Sequence, residues 1–240
     1  MQTSTLPYGS TTDVVAYAET AERVEFIKRT YTHLAGAIGV FALIEWALFQ
    51  IPGIESRVFG LLAASNYSWL IVLGAFMLVS HIANKWALSD VSQGQQYLGL
   101  GLFVVAEALI FLPLLLIANS MVPGGELILQ AGIITAALFL GLTLIAFTTR
   151  KDFSFLGGIL KIGFFVAIGV IVMSIIFGFN LGLLFSSIMA VLAAGSILHS
   201  TSAMMFHYST RQHVAASLSL FASVALLFWY ILRIVMALRR

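Results

Sequence analysis

The chain contains no cysteine, which excludes disulfides, thiolate catalysis and thiolate metal sites. Charge is almost as scarce: Lys, Arg, Asp and Glu make up 9% of the 240 residues, whereas soluble domains average about 25%. A soluble fold is therefore excluded as well. The net charge of +2 is too small to indicate nucleic-acid binding, so we expect no nucleic-acid partner.

Long apolar runs take the place of the missing charge. Apolar residues make up 60% of the chain, and a membrane-spanning helix needs about 20 of them in a row. The sequence therefore predicts an all-α polytopic protein, embedded in a lipid bilayer, with seven transmembrane helices. The predicted spans are Tyr31–Ile51, Asn66–Lys85, Tyr97–Asn119, Leu127–Thr148, Leu156–Gly178, Leu181–Phe206 and Val214–Ala237.

The fifth and sixth spans lie within one nearly unbroken apolar run, residues 156–206. As a single helix rising about 1.5 Å per residue, this run would be far longer than the bilayer is thick. Gly178 and Gly182, with Asn180 between them, provide the only turn chemistry in the run. We therefore predict a tight hairpin at this point.

The positions of the cations predict the orientation of the chain. With the N-terminus in the cytoplasm, most of them face the cytoplasmic side, and the C-terminus lies on the other side. We expect a polar cytoplasmic segment, residues 1–29, followed by a transmembrane domain, residues 30–240. The cations expected on the cytoplasmic side are Arg23, Lys28, Arg29, Lys85, Arg150, Lys151 and Arg211.

Few ionisable residues fall inside the predicted spans, and such residues usually face a bundle interior or a cavity. Counting along the helices places Glu107, His199 and His81 in the cytoplasmic half, where they could share one cavity. If Glu107 and His199 meet, the pair could respond to cytoplasmic pH. Alternatively, each histidine is neutral and bonded to a nearby carbonyl. Glu45 lies nearer the outer face and does not obviously belong with them.

Two matching stripes of small residues occupy the sixth and seventh spans. Ala193, Ser196 and Ser200 are spaced i, i+3 and i+7, and the same spacing recurs at Ala216, Ser219 and Ser223. Small residues on one face let two helices approach closely and exchange hydroxyl hydrogen bonds. The serines either pack the helices together or line a polar pathway.

The histidines do not have the spacing of a metal site. His199, His207 and His213 are separated by eight and then six positions, without an HExxH pair. Zinc catalysis needs three converging ligands and an open position. We therefore expect no metal, no cofactor and no enzymatic activity.

The segment from Phe147 to Gly158, FTTRKDFSFLGG, resembles the signature loop of the Bax inhibitor-1 family (transmembrane Bax inhibitor motif proteins), particularly its bacterial YccA-like branch. Arg150, Lys151 and Asp152 are the charged residues of this loop. The sequence Leu232-Arg233-Ile234 in the last span adds to the resemblance.

The resemblance implies a seven-helix bundle with the last helix at its centre, in a bacterial inner membrane. It also implies a pH-sensitive Ca²⁺ or H⁺ leak, a role in stress homeostasis, and modulation of a membrane-bound ATP-dependent protease as an alternative. In leak-competent members, two aspartates on the last two spans share a proton and gate the pore. Ser200 and Ser223 occupy those positions here. We therefore expect the fold to transfer better than the calcium mechanism, because Ca²⁺ prefers carboxylate and carbonyl oxygens.

Overall fold

The structure is a computed structural model that describes residues 14–65, 67–89 and 92–239. Residues 1–13, which begin the predicted polar segment, lie outside the described residues, as does Asn66, where the second predicted span begins. Seven of the described helices are long and apolar enough to cross a membrane, which confirms the predicted number of spans. The helices are α1 (Thr20–Phe49), α2 (Ile54–Ala63), α3 (Ser68–Ala87), α4 (Gln93–Met121), α5 (Glu126–Thr149), α6 (Leu156–Phe177), α7 (Leu183–Phe206) and α8 (His213–Leu238).

Helix α8 lies at the centre of the bundle, as expected. It packs against α1, α3, α4, α5 and α7, whereas α6 packs mainly against α7 at the edge. Helix α4 is the other inner helix, and its residues 110–116 are buried on every side. Helices that are apolar all round are buried in this way. The candidate site therefore lies where the neighbouring helices contact α8.

Helices α1 and α2 depart most from the predicted spans. Helix α1 begins at Thr20, eleven residues before the predicted start of the first span at Tyr31. Residues 20–30 and the first span therefore form one continuous helix. At about 1.5 Å per residue, α1 is longer than the hydrocarbon layer, and its first turns extend beyond it. Helix α2 (Ile54–Ala63) lies in the connection between the first two predicted spans, and none of its residues is buried.

The predicted hairpin between α6 and α7 is present. Helix α6 ends at Phe177, and Gly178 caps it with φ +72°, the left-handed conformation that glycine adopts without strain. Helix α7 begins at Leu183. The chain therefore reverses direction over the residues expected from the sequence.

The connections divide the bundle into two ends. We call the end that carries residues 14–19, 150–155 and 207–212 the N-terminal end, and the other the C-terminal end. The cations predicted to share one side all lie towards the N-terminal end, because α1 starts there and α3 ends there.

Candidate functional site

Four serine hydroxyls form a hydrogen-bonded cluster between α7 and α8. Ser200 Oγ lies 3.0 Å from Ser219 Oγ and 3.1 Å from Ser223 Oγ, and Ser223 Oγ lies 2.8 Å from Ser196 Oγ. Ser223 also donates to the Ser219 carbonyl oxygen at 2.9 Å. The hydroxyl contacts predicted from the two small-residue stripes are therefore present. We call these four residues the serine cluster.

The serine cluster lies inside the bundle. Ser200 is 5% exposed and Ser223 is 4% exposed. Ala193 and Ala216, from the same stripes, are also buried and let the two helices approach closely. Each hydroxyl can both donate and accept, so the cluster offers continuous hydrogen bonding between the two helices, and none of its four members is charged.

Tyr208 lies near this polar series, towards the N-terminal end. It lies in the loop between α7 and α8, where burial raises the pKa of its phenol and the neighbouring Ser219 side chain opposes that rise. The backbone N–H of Val15 donates to the Tyr208 carbonyl oxygen at 3.0 Å, and Val15 is fully buried. The segment that precedes α1 therefore covers the N-terminal end of the series.

The signature loop between α5 and α6 is fastened to α7. Arg150 ends α5 with φ +49°, an uncommon conformation for a residue with a side chain, and so turns the chain away from the helix. The backbone N–H of Phe153 then donates to Ser202 Oγ at 2.8 Å. Ser202 Oγ in turn lies 3.4 Å from the Lys151 carbonyl oxygen. The loop is thus held by a buried hydroxyl of α7.

Asp152 makes the second attachment of this loop. Its carboxylate accepts a hydrogen bond of 2.9 Å from the Ser154 backbone N–H and lies 3.2 Å from His207 Nε2. The Ser154 N–H is the main reason why the pKa of Asp152 is lowered, and His207 adds to the effect. This attachment was missed from the sequence. The Asp-x-Ser spacing, which is typical of an Asx turn, was the available signal.

His199 serves the same loop and does not meet Glu107. Its Nδ1 lies 3.3 Å from the Phe153 carbonyl oxygen, and because a carbonyl only accepts, Nδ1 donates. Its ring rests against α6, where a Cβ at Gly157 would lie 3.0 Å from His199 Cε1. The structure therefore places His199 as the alternative interpretation has it, bonded to a nearby carbonyl.

The other two residues expected in the shared cavity are separated from it. His81 is exposed on the outside of α3, and Glu107 is buried in α4 without an ion pair to a described histidine. The expected cavity of Glu107, His199 and His81 is therefore wrong, because depth along a helix does not fix the direction in which its side chains point. Glu45, which the sequence analysis did not assign to this cavity, is buried as well.

The histidines considered as zinc ligands are also dispersed. His207 contacts Asp152, and the ring of His213 lies 5.0 Å from that of His33 on α1. His199 contacts the signature loop instead. These three side chains do not converge on one point.

Comparison with known proteins agrees with this architecture. Residues 23–240 match the family described as inhibitor of apoptosis-promoting Bax1. An uncharacterized protein of Pseudomonas aeruginosa is 30% identical over 221 residues, covering 91% of this chain and 92% of the relative.

One yeast relative and one viral relative extend the comparison. Bax inhibitor 1 of Schizosaccharomyces pombe is 25% identical over 232 residues, covering 95% of this chain and 81% of the relative. A Golgi anti-apoptotic protein of vaccinia virus is 28% identical over 114 residues, covering 45% and 46%. With seven spans, a central last helix and a family match over most of its length, the chain belongs to the Bax inhibitor-1 family of integral membrane proteins.

Proposed function

We propose that this protein carries a slow ion leak across its membrane, with H⁺ as the permeant ion and the serine cluster as the pathway. The observation that carries the proposal is the unbroken series of hydroxyl contacts of 2.8, 3.1 and 3.0 Å from Ser196 through Ser223 and Ser200 to Ser219. The Ser223 hydroxyl has one proton, which it can donate to the Ser219 carbonyl oxygen or, after rotation of its O–H bond, to Ser196 or Ser200. Such rotation lets the series receive a proton on one side and release another. The Tyr208 phenol lies near Ser219, towards the N-terminal end.

The chemistry of the cluster favours H⁺ over Ca²⁺. Calcium binds six to eight oxygens, usually including carboxylates, and the cluster offers four neutral hydroxyls. Ser200 and Ser223 stand where the resemblance implies a pair of aspartates. A Ca²⁺ leak is therefore the less favoured form of the same proposal.

The setting of the leak is part of the proposal. We place the protein in a bacterial inner membrane with its N-terminal end in the cytoplasm, because the cations gather at that end. The leak would then serve stress homeostasis by relieving an excessive ion gradient. Modulation of a membrane-bound ATP-dependent protease stays a prediction, since no contact among the described residues favours it.

Reconstitution in liposomes tests the proposal. Purified protein is placed in vesicles with an internal pH dye or an internal calcium dye, and a pH or Ca²⁺ gradient is applied. We expect H⁺ flux above that of protein-free vesicles and much weaker Ca²⁺ flux. The double variant S200A/S223A should lose most of the H⁺ flux, because it interrupts the hydroxyl series at both of its inner members.

A matched control is available on the same helix. Ser187 donates to the Leu183 carbonyl of its own helix at 3.0 Å and lies outside the cluster, so S187A should keep wild-type flux. Equal H⁺ flux in S200A/S223A and wild type would contradict the serine cluster as the pathway. Absence of any flux from the wild-type vesicles would contradict the leak itself.

A further inference from the structure

A second buried polar region lies on the other side of α8, where α1, α4 and α8 meet. An aromatic layer marks this place. The Phe41 ring of α1 lies 5.2 Å from Phe111 of α4 and 6.1 Å from Phe221 of α8, and Phe103 of α4 also lies 6.1 Å from Phe221. We call the surface around these four rings the α1–α4–α8 seam.

A glutamate lies on each side of the aromatic layer. Glu45 follows Phe41 by one helical turn on α1, and Glu107 precedes Phe111 by one turn on α4. Glu45 is 6% exposed and Glu107 is 7% exposed. Both helices run towards the C-terminal end, so Glu107 lies on the N-terminal side of the layer and Glu45 on its C-terminal side.

Neither carboxyl group has a partner among the described residues. Both carboxylate oxygens of Glu45 are completely buried without a hydrogen bond. Glu107 takes part in no described hydrogen bond or ion pair; the described ion pairs are Arg29–Glu25, His207–Asp152 and Arg239–Glu126. The seam thus holds two acidic groups without a counter-charge.

The titratable and charged groups of the neighbouring helices are engaged elsewhere. On α8, Arg233 donates to the Leu181 carbonyl oxygen at the hairpin, and Tyr230 packs against Phe185 of α7. At the N-terminal end, His33 contacts Tyr97 and His213, and Tyr31 packs on Phe147. On α7, His199 contacts the signature loop. The remaining groups on the packed helices are exposed: Glu22, Arg23, Glu25, Lys28, Arg29, Glu55, Arg57, His81, Lys85, Glu126 and Arg239.

An unpaired carboxylate is very costly in an apolar interior, whereas the neutral acid costs far less. We propose that Glu45 and Glu107 are a pair of proton-binding sites on the α1–α4–α8 seam, each holding a dissociable proton at neutral pH. Their ligand is H⁺, bound on either side of the aromatic layer. This inference does not depend on the serine cluster or on ion leak, since it concerns proton occupancy alone.

Infrared spectroscopy of the full chain in liposomes tests the pair directly. A protonated carboxyl has a carbonyl stretch separate from the two bands of a carboxylate. We expect the wild type to show this acid band at neutral pH, E45Q and E107Q each to lose about half of it, and E45Q/E107Q to lose nearly all. The band should disappear when the pH is raised far enough to remove both protons.

Two exposed glutamates provide matched controls. Glu55 on α2 is exposed, and Glu126 pairs with Arg239 at 2.7 Å, so E55Q and E126Q should leave the acid band unchanged. An acid band that persists in full in E45Q/E107Q, or that is absent from the wild type at neutral pH, would overturn the proposal. A band reduced by only one of the two single variants would overturn the pair.

Chemical labelling gives a second measurement that does not depend on band assignment. Dicyclohexylcarbodiimide dissolves in lipid and reacts with protonated carboxyls; the acid adds across a C=N bond, and acyl transfer to nitrogen leaves a stable N-acylurea without a leaving group. We expect mass spectrometry to find the adduct on Glu45 and Glu107 and to find less of it at alkaline pH. Adducts that form on Glu55 and Glu126 but not on the seam would contradict the proposal.

Discussion

Two buried polar regions of this bundle share α8 and are built in opposite ways. Between α7 and α8, four serine hydroxyls satisfy one another within 3.1 Å. Between α1, α4 and α8, both carboxylate oxygens of Glu45 are buried without a hydrogen-bond partner in the part of the chain that the structure describes. The difference indicates that the serine cluster stabilises the helix contact, whereas the seam tolerates its acids at a cost in stability. Opposite responses to substitution should follow.

The largest expected effect is at the serine cluster. Ser223→Leu removes hydrogen bonds to Ser196, Ser200 and the Ser219 carbonyl and inserts a larger side chain where two helices touch. We expect the free energy of unfolding to fall by about 2–4 kcal/mol, measured by denaturation with SDS in mixed micelles. Ala137→Leu, on the exposed side of α5, is the control and should stay near wild type. Similar values for the two variants would mean that the cluster is not a close contact.

The next effect has the opposite sign. Glu45→Met replaces a buried carboxyl, which has no partner among residues 14–65, 67–89 and 92–239, by an apolar side chain of similar length. It should therefore raise the free energy of unfolding by about 1–3 kcal/mol. The same change at exposed Glu55 should shift it by less than about 0.5 kcal/mol. If Glu45→Met destabilises the protein, Glu45 makes a favourable contact in the seam. The seam and the serine cluster would then respond to substitution in the same direction.

Some of this contrast could be predicted from the sequence. Seven spans follow from apolar length, the hairpin follows from Gly178, and the contacts of Ser200 and Ser223 follow from spacing that repeats on two neighbouring helices. Each of these rests on information local to one or two segments. The family loop likewise indicated the fold, because a dozen adjacent residues carry the resemblance.

The seam could not be predicted, because it depends on the rotation of each helix about its axis. Glu107 and His199 have similar depths, but α4 packs with α1, α3 and α8 while His199 turns towards the signature loop. One close contact contributes to the rotation of α4: a Cβ at Gly99 would lie 2.6 Å from the Ala83 carbonyl oxygen and from the Ala87 nitrogen of α3. Such contacts involve residues distant in sequence.

A smaller change refines the energetics of the serine cluster. Ser200→Ala keeps the helix contact and removes the hydroxyl that joins Ser219 to Ser223. Hydrogen bonds between membrane helices contribute about 0.6 kcal/mol on average and up to about 1.7, so the free energy of unfolding should fall within this range. Ser187→Ala, which loses only a bond within its own helix, should fall by less. An equal loss would show that the bonds between helices contribute no more to stability than a bond within one helix.

The smallest effect concerns Asp152 and His207, which show how much a similar polar contact contributes where water reaches it. Their side chains are about half exposed, and exposed ion pairs contribute about 0–1 kcal/mol and weaken with salt. The pKa of Asp152 is lowered in the folded state, chiefly by the Ser154 N–H. The contribution of the Asp152 carboxylate to stability is therefore present above its unfolded pKa and is lost as pH falls through its folded pKa.

We expect hydrogen exchange of residues 150–155 to speed up over that acidic range in the wild type. In Asp152→Asn, exchange of the same residues should be faster and less dependent on pH. Identical exchange profiles would mean that Ser202 and His199 hold the loop without help from the carboxylate.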